Sequence, residues 1–218
     1  MSNPIKTLVI FDLDFTLIDN SFTICKAFNH ALSHFQIKPV EKELIIKKIG
    51  IPLKEMFLDY LDDEKAEKAI YIFRKYYSIH FFEGVKFIPG AVEILKKLKE
   101  LGYRIALLTS KKTDLAIKLL EYVGIKNYFE FILGEQKEFK LKPDPTSIKY
   151  LFSKFSEIDE TFMIGDHVVD CITARNAGIK FIGVLTGNTS LEELQKCAGK
   201  NAILLKSIKE LNPSRHLI

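Results

Sequence analysis

Asp12 and Asp14 stand two residues apart, directly after the apolar run Leu8 to Phe11. If extended geometry persists through them, their side chains point the same way and Leu13 points to the other face. Adjacent carboxylates repel, and such a pair is tolerated when a cation or a proton neutralises it. Asp166, at the end of another apolar run, would complete an oxygen-rich site of the kind magnesium takes. The residues expected at that ion are Asp12, Asp14 and Asp166, with Asp12, Asp166 and water as its ligands and a backbone carbonyl as a further donor. Lys142 adds a cation, Thr109 and Ser110 add hydroxyls, and Thr16 and Asp170 follow closely behind the acids.

This inventory suits transfer of a phosphoryl group. A metal ion and Lys142 would screen the repulsion between an anionic nucleophile and a phosphate dianion, and Thr109 would hold a phosphate oxygen. A carboxylate attacking phosphorus forms an aspartyl phosphate and splits a slow hydrolysis into two easier steps, each needing a proton moved. Asp12 is the candidate nucleophile and Asp14 the candidate acid and base. Proton transfer of this kind contributes about 10²- to 10⁴-fold, so electrostatics and positioning must supply the rest.

Short β-rich apolar runs at residues 7–11, 104–108, 129–133, 161–164, 181–185 and 202–205 alternate with helical patterns. That alternation predicts an α/β, Rossmann-like parallel sheet flanked by helices. In such a sheet ligands bind outside the carboxyl ends of the strands, where the candidate residues fall. Val92, Leu95, Leu98 and Leu101 share a helical face before Gly102, as Leu115, Leu119 and Val123 do before Gly124. Asp144 and Pro145 predict an N-cap and first helical residue, opening a helix with Ile148, Leu151, Phe152 and Phe155 on its apolar face.

From about residue 22 to 82 only helical patterning occurs, broken at Pro39, at 50–52 and at 62–63. This predicts an inserted all-helical cap over residues 19–85 and a discontinuous catalytic core from 1–18 and 86–218. With no repeat or Gly/Ser linker between them, the two parts are expected to share a cleft. A chain of 218 residues with 47% hydrophobic content can fill such a core, which excludes a disordered or fibrous protein. A net charge of +4 on scattered lysines suits an anionic small molecule at least as well as nucleic acid, and no nucleic-acid partner is expected. The first apolar run is too short for a secretory signal, and none approaches the roughly 20 residues of a membrane span. A cytoplasmic protein without membrane association is the expectation. Cys25, Cys171 and Cys197 are odd in number, far apart and outside any CxxC pattern, so neither a disulfide framework nor a zinc site is expected.

Asp12-Leu13-Asp14-Phe15-Thr16, Thr109-Ser110-Lys111, Lys142-Pro143-Asp144-Pro145 and Gly165-Asp166 with Asp170 resemble, in order, the four motifs of the haloacid dehalogenase superfamily. The likeness covers the whole chain. The insertion is similar to the helical cap of the phosphoglycolate phosphatase-like subgroup, which the segment with Ala177-Gly178 and Gly183-Val184 also resembles. The resemblance implies a magnesium-dependent phosphatase whose partner is a small phosphorylated metabolite of the phosphoglycolate, sugar phosphate or pyrophosphate type. It implies Asp12 as nucleophile, Asp14 as acid and base, Thr109 and Lys142 with Ser110 as phosphate ligands, and Asp166 as metal ligand. Asp170 would support the metal or Lys142, and the cap would close over substrate. Two positions depart. Phe15 stands where the subgroup usually has glycine, and phenylalanine does not enter φ > 0 cheaply. His167 is a variable position, open to reaching substrate or facing solvent.

Each feature taken singly has a plainer reading: an acid at a strand end usually caps a helix or a turn, and a lone lysine is usually surface. The ordered set at strand and helix termini favours the functional one. His30 and His34 have metal-ligand spacing but no third ligand, so they read as surface or cap packing. The aromatic run Tyr71, Phe73, Tyr76, Tyr77, Phe81 and Phe82 reads as the cap's core, with an oligomer interface second, leaving monomer or homodimer open. The lysine pairs 47–48, 96–97 and 111–112 read as solvated faces, except that Lys111 could meet a substrate carboxylate or second phosphate. A phosphomutase would keep every one of these residues. A dehalogenase needs no counterpart of Asp14, a phospho-aspartate receiver would lack the insertion, and a decayed binding protein should have lost one of the key residues.

Overall fold

The structure is a computed structural model and describes residues 6–136 and 142–218. The first five residues and residues 137–141, which fall within the expected core, lie outside the described residues. The chain divides into two compact units, Met1–Ile18 with Phe87–Ile218, and Asp19–Lys86.

The chain begins with β1 (Thr7–Phe11) and β2 (Ile18–Asp19), then enters α1 (Ser21–Ser33), α2 (Lys42–Ile46), α3 (Leu53–Leu58) and α4 (Asp63–His80). It continues through β3 (Lys86–Phe87), α5 (Ala91–Glu100), β4 (Arg104–Lys112), α6 (Thr113–Tyr122) and β5 (Phe131–Glu135). The rest is α7 (Thr146–Phe152), β6 (Glu160–Gly165), α8 (Val168–Ala177), β7 (Lys180–Val184), α9 (Leu191–Ala198), β8 (Ile203–Leu205) and α10 (Pro213–His216). The larger unit is a six-stranded parallel sheet in the order β5-β4-β1-β6-β7-β8. Strand order reverses at β1, so the crevice beside it, between β1 and β6, is the expected ligand position.

Every residue of β1 is buried, which is why its sequence is a continuous apolar run with no alternation. One face packs Leu8 and Ile10 with Leu108, Leu133, Ile148, Leu151 and Met163. Burying each such side chain is worth roughly 1.5–3 kcal/mol. Ile94, Leu95 and Leu98 form the buried stripe of α5, and Gly102 at φ 80 closes it in the left-handed region. Leu101, expected on that face, is exposed at the turn.

Besides Leu101 and the bounds of β5, which begins at Phe131 and not at Phe129, four expectations are corrected. Strand β4 runs on to Lys112, and its register against β5 shifts between Leu108 and Lys112, so Thr109, Ser110 and Lys111 sit in a bulge instead of beyond the strand. Helix α7 begins at Thr146, one residue late, because Asp144 accepts hydrogen bonds from the N–H and hydroxyl of Thr146 and Pro145 is only the residue before the helix. Cys171 and Cys197, 26 residues apart, form a disulfide, because α8 and α9 pack side by side and bring their sulfurs together. Sequence spacing does not reveal that approach. Among the described residues no helix is long and apolar enough to cross a membrane.

The smaller unit is built from α1 to α4. The breaks between its helices fall at Pro39, Gly50 to Pro52 and Asp62, whose side chain caps α4 by accepting from the Lys65 N–H. Phe28 stacks on Phe57 at 4.4 Å, and Phe73 on Tyr77 at 5.8 Å. The fourth correction concerns the aromatic run, which divides: Phe73 and Tyr77 are buried, whereas Tyr71 and Phe82 are exposed. His30 and His34 lie on the surface, with the Tyr76 ring 4.4 Å from His30 and 4.3 Å from His80.

Candidate active site

Asp12 is the first residue past β1, and its N–H donates to the Ile164 carbonyl at 2.9 Å, holding it level with the end of β6. The chain then folds back tightly, with the N–H groups of Leu17 and Ile18 both donating to the Leu13 carbonyl. This turn places Phe15 at φ 58, where a residue with a Cβ carries a cost of order 1–3 kcal/mol. The turn keeps its left-handed residue because the ring is buried, the Phe15 N–H donates to the Ile18 carbonyl, and the Phe15 carbonyl accepts from the Thr186 hydroxyl. Thr16, fully buried, donates to Asp166 Oδ1 at 3.0 Å.

Lys142 binds two carboxylates at once: its Nζ is 2.6 Å from Asp12 Oδ1 and 2.6 Å from Asp170 Oδ1. The second Asp170 oxygen accepts from the His167 N–H, while the His167 ring accepts from the Val169 N–H. His167 therefore caps α8, a role neither alternative for it anticipated. Asp14 is half-buried and sits apart from these acids, with one oxygen 3.1 Å from Lys111 Nζ and the other buried without a hydrogen-bond partner among the described residues. Lys111 is thus drawn off the solvated face. Thr109 is buried in the bulge, where its hydroxyl accepts from the Lys111 N–H, and Ser110 is half-buried beside it.

Among the described residues, Asp12, Asp166 and Asp170 are the group able to hold a metal ion, with ligand oxygens all within 4.8 Å of one another. Three carboxylates against the single ammonium of Lys142 leave two negative charges, the complement of a divalent cation. All-oxygen donors fit a hard ion such as magnesium. Burial pushes the Asp12 carboxyl up to about 7 against the opposing charge of Lys142, with the charge of Asp170 adding to the rise. Burial, then the charges of Asp12 and Asp170, raise Asp166 well above the usual carboxylate range. Burial disfavours the Lys142 ammonium, but the charges of Asp12 and Asp170 outweigh it and the net direction is upward, so Lys142 stays charged. Burial lowers the His167 pKa.

The sequence matches the family model "Haloacid dehalogenase-like hydrolase" over residues 9–184, a span that holds Asp12, Asp14, Thr109, Lys142, Asp166 and Asp170. The chain belongs to the haloacid dehalogenase-like hydrolase family. This hydrolase is 33% identical to the "Probable phosphatase IndB" of Dickeya dadantii (strain 3937), over 98% of this chain and 95% of that one. It is 31% identical to "Pyrophosphatase PpaX" of Halalkalibacterium halodurans, over 79% of this chain and 80% of that one. The crystal structure of a predicted phosphatase from Clostridium acetobutylicum superposes with a TM-score of 0.85 at 32% identity, covering 95% and 96% of the two chains.

In the hydrolase the sheet gathers Asp12, Thr16, Lys142, Asp166 and Asp170 into one connected group, with Asp14 beside Lys111 and Thr109 and Ser110 in the bulge. Glycines make room for them: Gly165 was already named beside Asp166 in the fourth motif, whereas sequence reasoning missed Gly187 and Gly134. A methyl group at Gly187 would come within 1.8 Å of Asp166 Oδ2, one at Gly165 within 2.4 Å of Asp170 Oδ2, and one at Gly134 within 2.1 Å of the Lys111 carbonyl. Thr113 was missed too; its hydroxyl accepts from the Gly134 N–H and the Gln136 amide, tying the bulge to β5. No sequence signal marks Gly187, Gly134 or Thr113, since each depends on what stands opposite.

Proposed function

We propose that this hydrolase is a magnesium-dependent phosphatase that takes the phosphoryl group of a small phosphorylated metabolite onto the Asp12 carboxylate. The observation that carries the reading is the division of labour between two acids two residues apart. Asp12 is buried and held by Lys142 beside Asp166 and Asp170, whereas Asp14 lies outside that group with an oxygen that has no hydrogen bond among the described residues. One acid is positioned to be an anchored nucleophile and the other to exchange a proton.

Magnesium, bound by Asp12 and Asp166 with Asp170 behind them, would supply positive charge to the phosphate oxygens. Lys142 adds a fixed cation at the same carboxylate, and Asp170 holds that lysine in place. Thr109 and Ser110, on a bulge pinned by Thr113, offer hydroxyls to the phosphate. Asp14 protonates the leaving oxygen, then takes a proton from the water that opens the aspartyl phosphate. Pyrophosphate heads the substrate classes because a relative named as a pyrophosphatase is 31% identical, ahead of phosphoglycolate and sugar phosphates.

Release of inorganic phosphate from pyrophosphate, phosphoglycolate and a sugar-phosphate panel tests the reading. Wild type should turn over one of these with magnesium and stop with EDTA. Asp12→Asn should abolish turnover and Ser110→Ala should only weaken it. Asp12→Asn as active as wild type would sink the assignment, and no release with any divalent ion would leave a binding protein on the same fold.

A further inference from the structure

Away from the acids, the larger unit has a cavity of about 460 Å³ between α8, β7, α9 and the C-terminal segment. The Cys171–Cys197 disulfide lines it, together with Arg175, Lys180, Arg215 and His216. Among the described residues no Asp or Glu lines it, although it carries three full positive charges. Lys180 is engaged by Glu160 at 3.0 Å, but Arg175 and Arg215 make no ion pair among the described residues. The His216 Nδ1 accepts from the Asn212 N–H, so the neutral ring carries its proton on Nε2, as a further donor. The remaining wall is apolar, with Phe162, Ile182 and Ile203. Unpaired guanidinium groups beside apolar surface suit a small molecule bearing carboxylates, and here the disulfide stands in the same cavity.

We propose that Cys171–Cys197 is a thiol–disulfide exchange site served by small carboxylate-bearing thiols. The two sulfurs differ in access. Cys171 is 2% exposed, whereas Cys197, in the last turn of α9, is half-buried and is the one a docked thiolate meets. The incoming thiolate attacks Cys197 Sγ; a mixed disulfide forms there, the Cys171–Cys197 bond breaks, and its electron pair leaves on Cys171, which takes up a proton. A second small thiol resolves the mixed disulfide. The protein gains two thiols and two small thiols become one disulfide, with the same steps running in reverse when the small disulfide is in excess. In a reducing compartment a disulfide is expected to be reversible in this way. The bond ties α8, which carries Asp170 in its first turn, to α9, which follows the loop holding Gly187 against Asp166.

The test uses glutathione, a thiol with two carboxylates, and cysteamine, a thiol with an amine, at matched thiolate concentration on the full chain. Alkylation under denaturing conditions followed by mass spectrometry counts free thiols and needs no enzymatic activity. After equilibration with oxidised glutathione one cysteine, Cys25, should be alkylated, and after reduction three. Glutathione should reduce the bond roughly tenfold faster than cysteamine, and Arg175→Glu with Arg215→Glu should remove that preference. In Cys171→Ser, oxidised glutathione should leave its adduct on Cys197 and not on Cys25. Three alkylated cysteines after the oxidising equilibration would overturn the proposal, as would equal rates for the two thiols or a preference untouched by the arginine changes.

Discussion

Two lysines in this molecule each lie between two carboxylates, one in each unit. Lys142 reaches Asp12 and Asp170, both at 2.6 Å. Lys54, on α3, reaches Asp63 at 2.8 Å and Glu67 at 2.9 Å, both on α4. By distance they are near equals. They differ in surroundings: the Lys142 side chain is 4% exposed and that of Lys54 is 39% exposed, with its partners more exposed still. Burial decides what a charge triad is for. In water the charges were never taken out of solvent, so their attraction does little. In the crevice each charge depends on the others for its compensation, and the set is short of positive charge until a cation arrives.

Removing the buried lysine is the strongest way to test that contrast. Lys142→Met keeps a long unbranched side chain, one atom shorter, but leaves Asp12 and Asp170 without their ammonium. Urea denaturation at pH 8 should show a loss of about 3–5 kcal/mol, as expected for breaking a buried ion pair from one side. Phosphate release should fall with it. The stability loss should shrink at pH 5, where the orphaned acids can take up protons instead. A variant as stable as wild type at pH 8 would mean that the crevice is wetter than its burial indicates.

Acidity provides the second test. The folded Asp12 carboxyl is raised from 3.8 to about 7, so between those values the folded chain holds a proton that the unfolded chain has released. Stability of the metal-free protein is therefore lost as pH rises from about 4 through about 7. Asp166 is shifted the same way. His30 and His167, both lowered, work in the opposite sense as pH rises through 6.5. Subtracting the pH profile of Asp12→Asn from that of wild type isolates the Asp12 contribution, and the difference should decline across that window. Stabilisation by magnesium should grow over the same range, because an ion binds only the deprotonated carboxylate. A flat difference profile would break the link between burial and the need for a cation.

A smaller change probes the shape of the crevice with its charges left in place. Gly187→Ala puts a methyl group where Asp166 Oδ2 now lies, so that carboxylate must turn away. Magnesium affinity, measured by calorimetry, should drop by about 10- to 100-fold, the usual cost of disturbing groups that orient a ligand. Wild-type affinity would show that Asp166 can bind from another rotamer.

The acids were legible in the sequence because a carboxylate directly after a buried apolar strand is conspicuous; Asp12 and Asp166 needed only β1 and β6 to be found. β1 was read at Thr7–Phe11 and observed there. β5 begins two residues later than its apolar run predicts, because the Phe129 N–H is claimed by a local turn to Lys126, while Glu135, which does not look like strand, pairs with Lys112 at the end of β4. Gly187 and Gly134 were illegible for a related reason: their contribution is a missing side chain, visible only once the opposite residue is known. The disulfide was hidden because 26 residues separate two cysteines that helix packing brings together. Phe15 shows the reverse, a residue whose apparent mismatch with its turn is resolved by a buried ring and two hydrogen bonds.

The exposed triad supplies the smallest expected effect and the control for all the others. The hydrogen bonds Lys54 donates to Asp63, then to Glu67, raise its pKa, yet the ammonium remains in solvent in every state. Lys54→Ala removes two ion pairs by count. It also frees a long side chain from a single geometry and leaves Asp63 and Glu67 to water, which solvates them as well as the lysine did. Its melting temperature should fall within about 2 °C of wild type, and the small difference should vanish in high salt, where surface attraction is screened. A loss comparable to that of Lys142→Met would show that two lysine triads of matching geometry are energetically alike after all, and that burial is not what separates them.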